Sequence, residues 1–144
     1  MALLVQARIL PLYAQISISD SHATDYPVPE MGDEDVVASP QAVSVATRSD
    51  YPHGPLPVEV WTERLDTVWT ERLDTDAHDL RLVYEGTLDL SDGRALVGNL
   101  VANDVHTFTL APGTHRLLVF TVPAEQGAMA VRFLLDPVPS ADAR

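Results

Sequence analysis

Cysteine is absent from this 144-residue chain, which excludes disulfides, thiolate nucleophiles and cysteine-ligated metals together. Lysine is absent too, so the nine basic residues are all arginine, set against 21 acidic residues and a net charge of -12. A field of that sign repels phosphate backbones, which disfavours nucleic acid as a partner, and it draws in basic proteins. The same surplus serves solubility with no partner at all. Missing lysine beside abundant Ala, Val, Asp and Arg also suggests a GC-rich genome, which raises Asp over Lys for no functional reason. Aromatics make up only 6% of the chain, with no basic stripe for them to interleave. Long apolar runs are lacking. Near the N-terminus Arg8 interrupts the apolar residues early and no basic region precedes them, so neither a signal peptide nor a membrane span is expected, and a cytoplasmic location is.

What is present is alternation. Residues 15–19 (QISIS) place Ile16 and Ile18 on one face, and residues 42–46 (AVSVA) repeat the pattern, each reading as a half-buried strand. Between them the 20–40 loop collects Pro27, Pro29, Gly32 and Pro40 with six carboxylates and no arginine. A third strand begins at residue 57 and runs into VWTERLDT at 60–67, repeated without mismatch at 68–75. Such identity marks a recent duplication. An octapeptide is too short to be a solenoid unit, so it reads as an insertion into an existing fold. In a strand a shift of eight is even, so Trp61, Leu65, Trp69 and Leu73 share one face and Val60 and Val68 the other. One copy is expected to take the core position, leaving one tryptophan buried and the other exposed; the competing reading makes the exposed copy an accidental interface anchor.

Further along, residues 80–90 read as a strand bulged near Gly86, and 95–101 as its hairpin partner across the turn at 91–94. Residues 105–110 and 115–122 read as a second hairpin around the Pro112-Gly113 turn, with 130–135 as a last strand. Residues 36–39 and 123–129 have room for a helical turn each. Pro11 suits a sheet edge, where a missing N–H costs no ladder bond. Short strands, frequent turns and no amphipathic helix predict an all-β fold: a single-domain antiparallel β-sandwich or open barrel over residues 1–144, with few or no helices. Its expected inward set includes Ile16, Ile18, Val43, Val45, Phe108, Leu110, Leu117, Val119 and Phe133.

No constellation for catalysis emerges. The five histidines, His22, His53, His78, His106 and His115, lack the spacings that place two metal ligands on one face. His106 and His115 are expected to meet across the second hairpin, as a surface pair. No serine sits in a nucleophile-elbow pattern. Gly32 to Asp35 imitates half a calcium loop but lacks the central glycine and terminal glutamate, and reads as a solvated acidic loop. No cofactor is implied, and no enzyme activity is expected.

Residues 108–125, FTLAPGTHRLLVFTVPAE, form a strand, a Pro-Gly turn, a second strand and then TVPAE. That segment resembles the C-terminal part of competence protein J, a family of bacterial inhibitors of the DNA-entry nuclease. Upstream, residues 13–19, the acidic 33–35 and residues 42–46 fall in the same order as that family's opening strand, acidic stretch and second strand. The octapeptide duplication departs from the family pattern, and Tyr26 alone supplies aromatic content in the loop after the first strand. The resemblance implies a small cytoplasmic binding protein that covers a nuclease, and the charge argument agrees in sign. The residues expected to face a basic partner are Asp20, Asp25, Glu30, Asp33, Glu34 and Asp35, with Glu125 contributing. The competing reading is an interaction or structural module whose acidity serves solubility only. The oligomeric state is left open.

Overall fold

In the computed structural model, residues 2–27, 35–64, 80–101, 103–125 and 127–139 are described. Among these residues ten strands follow in order: β1 (Ala2–Ile9), β2 (Gln15–Asp20), β3 (Val36–Ser39), β4 (Ala42–Ala46), β5 (Leu56–Thr62), β6 (Arg81–Leu90), β7 (Arg94–Asn99), β8 (Asp104–Thr109), β9 (Gly113–Val122) and β10 (Ala130–Leu135). They form two five-stranded sheets, β1-β5-β10-β9-β6 and β3-β4-β2-β7-β8, packed as a sandwich rather than closed into a barrel. Every pairing is antiparallel except that of β5 with β10, which is parallel. Among the described residues one helical element occurs, Leu12–Ala14, a tight turn of 3₁₀ type.

Alternation places the core as expected. Ile16, Ile18, Val43, Val45, Phe108, Leu117, Val119 and Phe133 are all buried between the sheets, and Leu110 packs against them from the margin. Burying these side chains supplies the main drive to fold, at roughly 25 cal/mol per Å² of apolar surface. The structure departs from the sequence reading at three places. Residues 36–39 form an edge strand rather than a helical turn, and residues 2–9 are a strand that alternation did not reveal, because Leu3 and Leu4 at this sheet edge are exposed beside buried Val5 and Ile9. The irregularity of β6, expected near Gly86, lies a few residues earlier, between Leu82 and Tyr84. A side chain at Gly86 would collide with the Tyr84 ring, so this glycine makes room for an aromatic instead of bulging the strand.

Neither predicted hairpin forms. β6 and β9 belong to one sheet and β7 and β8 to the other, so the turns at 91–93 and 110–112 are arches that carry the chain between sheets. The arches support each other, Leu110 N donating to Gly93 O at 2.8 Å. The true local partners are β7 with β8 and β9 with β10. His106 and His115 are thereby separated. His115 is fully buried with its ring nitrogens 2.7 Å from Asp136 O and 2.6 Å from Ala111 O, whereas His106 stays near the surface beside Asp104.

The first octapeptide copy enters the structure with its faces assigned differently from expectation. Val60 points into the core at 0% exposure. Trp61 lies on the outer face of its sheet, against a second buried cluster of Leu118, Phe120 and Leu134. Its indole N–H donates to Glu59, and Arg132 both pairs with Glu59 and stacks 5.6 Å from the ring centroid. Leu65, Val68, Trp69 and Leu73 lie outside the described residues.

The link from Thr62 to Arg81 must pass from β5 to β6, with β10 and β9 between them. Three strand spacings are about 14 Å and a four-residue offset in level adds about 13 Å, a diagonal near 20 Å. Removal of residues 68–75 leaves ten linking residues, 63–67 and 76–80, with a reach of about 33 Å. The deletion variant is therefore expected to fold, with stability changed by about 1 kcal/mol or less from loop closure. Denaturant melts of both forms check this. A drop of several kcal/mol would show that both copies are structurally employed.

Candidate functional site

The acidic residues singled out from sequence divide between the two ends of the sandwich. At the first end Asp20 closes β2 and is fully buried. Its carboxylate accepts from Ser91 N at 3.1 Å and Ser91 Oγ at 2.8 Å, clamping the first arch. Asp20 thus serves the fold, and its side chain is not offered to a partner. Asp25 is exposed near the same end, its carbonyl accepting from Ser39 Oγ. Glu30, Asp33 and Glu34 lie outside the described residues.

Asp92, in the first arch, is a carboxylate that sequence reading passed over. The Arg94 backbone N–H at 3.0 Å, then His22 Nε2 at 3.0 Å, hold its carboxyl down to about 2. A carboxylate depressed in the fold stabilises fully above its unfolded value of about 3.9, and that contribution is lost as pH falls toward 2. Stability is accordingly expected to decline between about pH 4 and pH 2, and Asp92→Asn to flatten part of that decline. Urea melts across the window test it; identical slopes for both proteins would contradict the assignment.

At the opposite end three successive amides converge on three segments. Ala46 N donates to Asp35 O at 2.8 Å, Thr47 N to Ala14 O at 2.9 Å and Arg48 N to Ala128 O at 2.9 Å. One short stretch at the end of β4 thereby ties the end of the acidic loop to the turn before β2 and to the 123–129 connection that carries Glu125. Both Asp35 and Glu125 are exposed there. The 123–129 connection, expected to hold a helical turn, has none among its described residues. Gly127 at φ 113 is needed because a Cβ would strike the Thr47 and Arg48 backbone at 2.8 Å.

The turn at this end is unusual in its backbone. Tyr13 (φ 59, ψ 25) and Ala14 (φ 55) are both left-handed, a conformation costing L-residues roughly 1–2 kcal/mol each. The buried Asn99 holds it in place, its Nδ2 donating to Leu12 O at 2.8 Å and Gln15 O at 2.9 Å. Ala14 N closes onto Pro11 O at 2.9 Å. The Tyr13 ring stands in solvent at 77% exposure. Nothing local signals this turn, since left-handed pairs are ordinarily written with Asn or Gly and the side chain that enforces it is 84 or more residues away in sequence. Among the described residues no three His, Asp or Glu side chains gather as a metal set, and no helix is long and apolar enough to cross a membrane.

No protein-family model matches this sequence, and no curated protein matches it. The fold does have a counterpart. It is similar to the crystal structure of ComJ, inhibitor of the DNA degrading activity of NucA, from Bacillus subtilis, over 96% of this chain and 99% of that one. The TM-score is 0.67 at 18% sequence identity. The likeness to competence protein J read from residues 108–125 therefore extends, as fold, through nearly the whole chain. ComJ shares the architecture; at this identity the side chains that would contact a partner are this protein's own.

Proposed function

We propose that this protein is a non-enzymatic inhibitor that binds a basic DNA-degrading nuclease in the cytoplasm and keeps DNA out of its groove. The observation that carries the reading is the end-to-end likeness to ComJ, whose activity is inhibition of the nuclease NucA. The net charge of -12 supports it, because a nuclease groove built for phosphates is basic and an acidic protein is steered toward it. The sandwich supplies a rigid body, and its loop ends supply the contacts.

The test is digestion of labelled duplex DNA by a basic nuclease of the NucA kind, with the purified protein titrated in. Stoichiometric protection, weakening as salt rises, is the expected result. Undiminished digestion, with no complex on gel filtration, would leave only the interaction module whose acidity serves solubility. Inhibition that ignores salt and survives joint neutralisation of Asp33, Glu34 and Asp35 would count against steering by the acidic loop.

A further inference from the structure

We infer that the left-handed turn at Tyr13 and Ala14 is the element that engages the nuclease, with the Tyr13 ring as its anchor. This rests on the inhibitor reading above and names the surface it uses. A core residue repays backbone strain by burial, but Tyr13 is 77% exposed and repays none. Strain that surrounding structure enforces around an exposed side chain points to a role outside the folded monomer. The enforcement here is specific: Asn99 bridges Leu12 O and Gln15 O, and Thr47 N and Pro11 O fix Ala14 from either side.

A ring held on so rigid a turn loses little freedom on binding, which is why tyrosine serves well at interface centres. Its surroundings select the partner. Ala46 and Arg48, flanking Thr47, bind the segments bearing the exposed Asp35 and Glu125, which share this end of the sandwich with the turn and with Arg8 and Arg48 on Pro55 O. An exposed aromatic anchor on an end that carries carboxylates, in a chain of net charge -12, fits a basic protein surface with an apolar notch, the chemistry expected of a nuclease groove margin.

The discriminating variant is Tyr13→Gly, because glycine tolerates the left-handed backbone and removes only the ring. The melting temperature is expected to stay level or rise, while the concentration needed for half-inhibition rises at least about tenfold. Tyr13→Phe, which keeps the ring, should remain within about threefold of the parent, and Val138→Ala, an exposed change at the other end of the sandwich, should match it. Should Tyr13→Gly inhibit as well as the parent, or should its melting temperature fall, this assignment is overturned while the inhibitor reading stands. A parent protein that inhibits no nuclease overturns both.

Discussion

Phe133→Ala is expected to lower the unfolding free energy by about 3–5 kcal/mol, a large share of the 5–15 kcal/mol typical of a domain. Phe133 lies in β10, the middle strand of its sheet, level with Val119 on one side and Val60 on the other. All three side chains are at 0% exposure and belong to the same inter-sheet cluster. Truncation removes a ring's transfer free energy and leaves a cavity that two hydrogen-bonded neighbours cannot close, since moving either would break the ladder. Urea melts with unchanged m-values provide the measurement. A loss below about 1 kcal/mol would mean that the ring is not packed between the sheets.

Gly98→Ala is expected to be nearly as damaging, at roughly 2–3 kcal/mol or more. Gly98 sits in β7 at φ 143, and a Cβ there would lie 2.1 Å from Asp104 O. That oxygen is backbone in the partner strand β8, so no rotamer change relieves the overlap. β7 is held on both sides, Gly98 standing opposite Ser17 of β2 and Val105 of β8. The next residue is Asn99, which fixes the Tyr13 turn, so displacement of β7 should also weaken the proposed nuclease inhibition beyond the loss of stability. Unchanged melting on substitution would show that the β7–β8 end relaxes freely.

These two sites differ in how far sequence reading reached them. Phe133 was legible because alternation is a local property: in a strand, every second side chain faces one way whatever the strand pairs with. Gly98 carries no such signal, since its demand comes from a carbonyl in another strand. The same contrast explains the failed hairpins. Ser91 to Gly93 and Pro112 to Gly113 are correctly read as chain reversals, but turn chemistry fixes only the local direction of the backbone. Whether the chain returns within its sheet or crosses to the other depends on which strands compete for its hydrogen bonds, and β6 finds β9 while β7 finds β2 and β8.

The candidate site divides likewise. Asp20 and Asp25 were legible as acidic, but acidity does not report burial, and Ser91 takes Asp20 into the structure from 71 positions away. Asp35 and Glu125 stand 90 residues apart in the chain and reach the same end only because Ala46, Thr47 and Arg48 donate to three different segments. Residue composition and period-two alternation by themselves determined an acidic, all-β chain with a recoverable inward face, because charge and side-chain alternation belong to single segments. Sheet membership, the parallel β5–β10 pair, the arches and the strained Tyr13 turn were decided only in the tertiary structure, because each is settled by hydrogen bonds between segments that no local pattern connects.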